Sequence, residues 1–234
     1  MKERPILFST PMVQALIADR KTQTRRIVKP TPGRQSEWLT AEGINRVPHG
    51  EMVNGGWQMH HPRAGTEVGG VRVAHDSPYG FIRCPYGQPG DLLWVRETWA
   101  APHAYDHLPP RMIPQHATIH YAATEERGGL LWRPSIHMPC WASRLTLSIT
   151  DVRVERLQGI SGMDAKREGA PVPAHIPEDG ADLEWARGWY RLLWEEINGA
   201  GSWDTDPWVW VLSFDVIRAN VDAVLAEQMR EGRP

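Results

Sequence analysis

Residues 18 to 26 read ADRKTQTRR and bring one lysine, three arginines and two threonine hydroxyls into nine positions. The chain as a whole has a formal net charge of −2. The cluster is therefore a local basic corner, and a basic nucleic-acid coat over the whole protein is excluded. Arg25 and Arg26, with Lys29 nearby, carry groups suited to phosphate contacts. The same residue types also have a structural use, because cations and hydroxyls after a helix satisfy its last carbonyls and its dipole. A second segment, with Trp94, Arg96, Glu97 and Trp99, offers a stacking or polar wall. Arg96 and Glu97 point to opposite faces of a strand, so at most one of them enters a site. His60-His61 and His137-x-x-Cys140 hold metal-ligand atoms. They lack a second paired motif at finger-like spacing, so neither a metal nor a cofactor is expected. The sequence has no Gly-rich phosphate loop and no serine nucleophile elbow.

These groups need elements to position them. RPILF, 4 to 8, reads as a first strand. Ser9 or Thr10 then caps a helix from about Pro11 to Arg20, with proline where its missing N–H costs nothing. Val13, Leu16 and Ile17 form its apolar face. Residues 30 to 90 are rich in Gly, Pro and His and read as an irregular insertion with one hairpin, ending in a turn at 88 to 91. LLWVRETWA, 92 to 100, has strand propensity. Residues 101 to 140 are loop-like, with one strand expected at 117 to 123. In 142 to 157, Leu145, Leu147 and Ile149 alternate with polar residues, and Val152 and Val154 continue on the other phase. That switch predicts a bend or bulge. Ser161 with Asp164 reads as a capping box for a short helix ending at Gly169. A longer helix is expected over about 181 to 197, with Leu183, Ala186, Tyr190, Leu193, Trp194 and Ile197 on its buried stripe. WVWVLSFDVI, 208 to 217, is largely apolar and predicts a central strand. The tail from 219 reads equally as helix or as a frayed end. A few strands, two or three helices and long loops in this order predict a small mixed barrel of the α+β class.

The bulk properties agree with one elaborated domain. The chain has 234 residues, and 41% of them are apolar. Two cysteines, Cys84 and Cys140, form no disulfide framework and fit a reducing compartment. The polar, proline-interrupted start does not read as a signal peptide, and no run reaches the ~18 apolar residues of a membrane span. A cytoplasmic protein without membrane partners is expected. The 12 tryptophans against 3 phenylalanines supply broad faces for packing or stacking.

Three segments resemble the ASCH family, whose fold is similar to the PUA RNA-binding barrel. They are ADRKTQTRRIVKP, with Asp19 where many members carry glycine, PGDLLWVRETW at 89 to 99, and ITDVRVERLQGISGMDAKREG at 149 to 169. SWDTDPWVWVLSFDV at 202 to 216 resembles the closing strand. The long form with IRCPYGQPGD at 82 to 91 is similar to ASCH proteins carried by phages, which implies a host cytoplasm. The resemblance implies a single PUA-like domain over 1 to 218 with insertions at about 31 to 80 and 101 to 138, followed by a tail.

Some small ASCH proteins remove the acetyl group from N4-acetylcytidine with a Lys, a Thr and a Glu. By motif register these correspond to Lys21, Thr24 and Glu168. The resemblance therefore implies an amidohydrolase for N4-acylated cytosine nucleosides. RNA binding without chemistry and ribonuclease action are the alternatives. Amide hydrolysis needs a nucleophile, a proton shuttle and an oxyanion stabiliser. Thr24 is expected to attack or to position water. Lys21 serves as its base only when partly neutral, which burial and the charges of Arg20, Arg25 and Arg26 favour. Glu168 holds the lysine or protonates the leaving amine. Arg20, Arg25, Arg26, Arg96, Glu97 and Trp99 are the expected substrate-binding residues. Lys21 and Glu168 are expected within ~4 Å of each other, with Thr24 Oγ facing the same cavity.

Overall fold

Alternating and continuous apolar segments assemble the central sheet, and the helices cover it. The structure is a computed structural model that describes residues 1–29, 83–126, 128–172 and 183–232, with the backbone of short strands between 49 and 82. The strands are β1 (Glu3–Leu7), β2 (Gln23–Ile27), β3 (His49–Val53), β4 (Gly56–His60), β5 (Glu67–Val68), β6 (Val71–Arg72), β7 (Pro78–Arg83), β8 (Leu92–Arg96), β9 (Trp99–Ala100), β10 (His120–Tyr121), β11 (Thr146–Arg156) and β12 (Trp208–Ile217). The helices are α1 (Thr10–Ile17), α2 (Gly162–Arg167), α3 (Glu184–Asn198) and α4 (Val221–Arg230).

Five strands form a mixed sheet in the order β1-β8-β11-β12-β2. Only β1 and β8 are parallel. The protein is thus α+β. Among the described residues no ladder joins the edge strands β1 and β2. α1 connects these two edges. The Arg26 side chain reaches from β2 to the β1 end, where Nη2 donates to Leu7 O at 3.0 Å.

Strand alternation sorts the core into faces. Met12, Val13 and Leu16 of α1 pack with Leu93, Val95, Leu147, Trp210, Leu212 and Phe214. On β12 the intervening Val209 and Val211 pack with Ala165, Tyr190 and Trp194 of α2 and α3. On β8 the intervening Leu92 and Trp94 pack with Val221 and Val224 of α4. Asn220 caps α4, accepting from the Asp222 N–H at 2.9 Å. The tail is therefore helical, not frayed.

The predicted phase switch in β11 has a physical cause. The β11–β12 register shifts between Ile149 and Asp151, leaving Thr150 as an extra, exposed residue. This bulge returns Val152 and Val154 to the face already occupied by Leu145, Leu147 and Ile149. It equally commits Arg153 and Glu155 to the opposite face, opposite Val211 and Val209 of β12.

Other boundaries differ from the sequence reading. α1 stops at Ile17, three residues short of Arg20, and Ser9 stands at its N-cap without a side-chain cap bond. The strand expected at 92 to 100 is split into β8 and β9. The one expected at 117 to 123 shrinks to β10, which pairs with β9. Much of 101 to 138 is short turns packed on Trp99, with Ile113 and Met138 against it. In the first insertion, β3, β4 and β7 form an antiparallel sheet and β5–β6 a small hairpin, more than the single hairpin expected. Residues 30–48 lie outside the described residues. Among the described residues no helix is long and apolar enough to cross a membrane.

Deleting Thr150 should remove the bulge and leave Val152 and Val154 facing inward, because Ile149 and Asp151 already oppose the consecutive residues Phe214 and Ser213 of β12. Urea unfolding should therefore show only a small change in midpoint. A loss as large as the ~1.5–3 kcal/mol of a fully buried valine would show that Thr150 is not the extra residue that sets the face.

Candidate active site

The end of α1 shapes the site. The Arg20 and Lys21 N–H groups both donate to Ala15 O, at 2.9 and 3.1 Å, closing the helix. Asp19 adopts φ 54°, the left-handed turn that reverses the chain. Glycine fits that conformation without strain, which accounts for the glycine of the resembling loops. Beyond the turn the chain runs beside the end of α2. The Thr22 N–H donates to Arg167 O at 2.9 Å, and Lys21 forms an isolated antiparallel bridge with Glu168. Gly169 permits this close approach. Its φ is 104°, and a Cβ there would lie 2.9 Å from Ala15 Cβ and 3.3 Å from Lys21 Cβ. The short helix before it is capped by Ser161 Oγ, which accepts from the Asp164 N–H at 3.1 Å.

This arrangement brings Lys21, Thr24 and Glu168 around one cavity. Lys21 is 1% exposed and Glu168 2%. Lys21 Nζ donates to Glu168 Oε2 and to Glu168 O, each at 2.8 Å. Thr24, also buried, lies on β2 and accepts at Oγ1 from Arg26 Nη1 at 2.9 Å. Arg25 points inward. Its Nη1 donates to Glu168 Oε1 at 3.2 Å and to Gln23 Oε1 at 2.8 Å, and its Nη2 to Glu155 Oε2 at 3.1 Å. Asp164 Oδ2 stands 3.4 Å from the same Nη2 and is also bonded by Arg153 Nη2 at 3.2 Å.

The cavity has a volume of about 310 Å³. Its polar end is made by Lys21, Thr24, Arg26 and Glu168, and its broad walls include Phe8, Met12, Tyr190 and Trp194. Burial holds the Lys21 ammonium below its usual range, against the opposing pull of Glu168 and with help from the Arg26 and Arg25 charges. Burial also pushes the Tyr190 phenol well above its usual value, so this wall stays neutral.

The remaining expected binding residues lie elsewhere. Arg25 lines the cavity, but its side chain is 0% exposed and engaged with internal carboxylates, so it is not a ligand for external phosphate. Arg20 is exposed and donates to Gly169 O at 2.7 Å, beside a separate depression with Lys166 and Arg167. Arg96 stacks on Trp94, its Cζ 4.7 Å from the ring, on the α4 side of the sheet. Glu97 is buried against Arg144 Nε at 2.9 Å. Trp99 is a core residue. None of these three lines the cavity, because β8 presents Leu93 and Val95 on its α1 face and the chain then leaves the sheet. The His60 side chain and His61 lie outside the described residues. Among the described residues no group of three or more His, Cys, Asp or Glu is placed to hold a metal ion.

Several residues around the cavity are not marked by the sequence. Phe8, Met12 and Ser9 were read only as strand, helix and cap. Tyr190 and Trp194 were recognised as a buried stripe, without the cavity they line. Glu155 lay within a strand pattern that gave no sign of its partner, 130 positions away. No family model matches the chain, and neither a curated protein nor a solved structure matches it.

Gly169→Ala should strain the backbone and press on Ala15 and Lys21 together. A side chain forced into such a conformation costs ~1–3 kcal/mol. Thermal unfolding should show a lower Tm and NMR should show displaced Lys21 and Thr24 signals; a Tm and spectrum like wild type would remove the close approach from the account.

Proposed function

We propose that this chain is an ASCH-like, PUA-related amidohydrolase that removes the acyl group from an N4-acylated cytosine nucleoside. The observation that carries the reading is the buried Lys21–Glu168 pair in the wall of a cavity that also receives the Thr24 hydroxyl. A volume of about 310 Å³ stands at the small end of ligand pockets, which begin at ~300 Å³ and suit a single nucleoside. Aromatic walls offer faces to a base, and the polar end offers groups to an amide.

The chemistry follows from the bonds at each atom. A neutral lysine amine has two N–H bonds and one lone pair. Glu168 O and Oε2 take the two N–H bonds, leaving the lone pair to accept a proton. Lys21 takes the Thr24 hydroxyl proton as Oγ adds to the acyl carbon. Arg26, bonded to Thr24 Oγ1, sets positive charge at this end of the cavity, where the acyl carbonyl oxygen becomes an oxyanion. The C–N bond then breaks, and Lys21 returns the proton to the amine nitrogen. Water attacks the acyl-threonine as Lys21 accepts its proton; the bond to Thr24 Oγ breaks, Lys21 gives that proton to the oxygen, and the carboxylic acid is released. Glu168 holds the lysine through both halves.

Binding of RNA without chemistry has less support. It needs outward cations on the loop, whereas Arg25 is engaged internally, Arg26 is bonded to Thr24 and to Leu7 O, and the exposed Arg20 faces a depression apart from the cavity.

Incubation with N4-acetylcytidine should release cytidine, measured by chromatography. Lys21→Ala, Thr24→Ala and Glu168→Ala should each lower kcat/KM by at least ~100-fold, and the triple variant should be little worse than the worst single one. Thr24→Ala is the sharpest probe, since it removes a hydroxyl and no charge. The base form of Lys21 accumulates as pH rises, so kcat/KM should climb with pH, along a limb lying below the ordinary lysine value of 10.5. A protein that binds RNA but leaves acyl-cytosines intact would overturn the reading in favour of a binding module.

A further inference from the structure

Glu168 has two carboxylate oxygens, and two different cations divide them. Lys21 holds Oε2 at 2.8 Å, and Arg25 holds Oε1 at 3.2 Å. Arg25 is itself anchored away from the cavity by Glu155 at 3.1 Å and Asp164 at 3.4 Å. Arg153 of β11 backs both anchors, bonding Glu155 Oε1 and Asp164 Oδ2. Charges thus alternate from the cavity toward the surface: Lys21, Glu168, Arg25, the Glu155–Asp164 pair, Arg153. A network of this kind is fixed at many points, so Glu168 cannot rotate to offer both oxygens to the lysine.

The geometry points to Arg25 as a positioning residue for the hydrolytic step: by occupying one oxygen of Glu168 it confines Lys21 to the other and turns the lysine's remaining valence toward Thr24 and the cavity. The inference rests on the hydrolytic reading of this site. Arg25 touches no reacting atom and acts only through Glu168. Without it, Glu168 would give its whole charge to Lys21, and the amine would remain an ammonium ion without a free lone pair. The charged groups facing Lys21 are Glu168 at the end of α2 and Arg25 and Arg26 on β2. From β1 and α1 it meets the Phe8 ring, 5.5 Å from Nζ, and from α3 the cavity receives the neutral Tyr190. The Arg25 charge opposes the Lys21 proton in the same direction as the geometry, which adds to the case.

The test uses lysine labelled with ¹³C at Cε and an NMR pH titration. The chain has only Lys2, Lys21, Lys29 and Lys166, so the spectrum is simple and Lys21→Met assigns the signal. Arg25→Met keeps the stem and removes the charge. It should raise the Lys21 titration midpoint by ~1 unit or more. It should also lower kcat for deacylation, leave KM within about twofold, and lose less activity at high pH, whereas Arg25→Lys should restore part of kcat. Glu155→Gln should move the midpoint the other way, because Arg25 then leans harder on Glu168. An unmoved midpoint in Arg25→Met overturns the assignment. Should Arg25→Met not fold, Glu155→Gln decides: a downward shift supports the assignment and no shift overturns it. Absence of cytidine release by the wild-type protein would instead remove the hydrolytic reading, with the titration still deciding whether Arg25 governs the pair.

Discussion

The structure around the cavity depends on one buried ion pair. Lys21 and Glu168 are both nearly inaccessible, and their 2.8 Å contact joins the turn after α1 to the end of α2. Charges removed from water cost several kcal/mol each, and their mutual attraction offsets this only with good geometry and further hydrogen bonds. The surroundings supply those bonds. Lys21 reaches a carbonyl as well as a carboxylate, and Arg25 completes the carboxylate. Such an arrangement is a poor device for stability alone. It makes sense as a way to hold an amine in a dry place with its proton weakly bound.

The layout of the sheet explains how that amine comes to border a cavity. Among the described residues β1 and β2 are edges that no ladder joins, and α1 connects them. The cavity occupies the gap, with Leu7, Phe8, Ser9 and Met12 from one side and Lys21, Thr24, Arg25, Arg26 and Ile27 from the other. α3 closes it with Tyr190, Leu193 and Trp194. A closed ladder between the edges would fill this space with backbone hydrogen bonds. The single bond from Arg26 to Leu7 O spans the gap while leaving room beside it.

Local rules made much of this legible in the sequence. β12 was visible because eight of its ten residues are apolar, which suits a central strand, and Asn198-Gly199 ended α3 where a helix stop was expected. The bulge was visible as a change of phase. Lys21, Thr24 and Glu168 were reached through the resemblance, since nothing local marks Glu168 in KREG as buried. The sequence misled where a residue's use depends on distant partners. Arg25 looks like a surface cation until Glu155 and Asp164 are placed around it. Arg96 ends β8, Glu97 follows it and Trp99 opens β9, yet strand propensity does not tell which side of the sheet carries the cavity. Which strands form the edges was also invisible, because strand count does not decide pairing.

The most direct measurement of the central claim is a double-mutant cycle between Lys21 and Glu168, read by urea unfolding. Lys21→Met and Glu168→Gln each remove one partner of the buried pair, a change that costs ~3–5 kcal/mol where the other partner is left uncompensated; Arg25 still meets Glu168 in Lys21→Met, so that loss should be the smaller. If the two act as one buried unit, the double variant should lose no more than the worse single one. Additive losses, within ~0.5 kcal/mol, would contradict the account and mean that the two side chains are held independently.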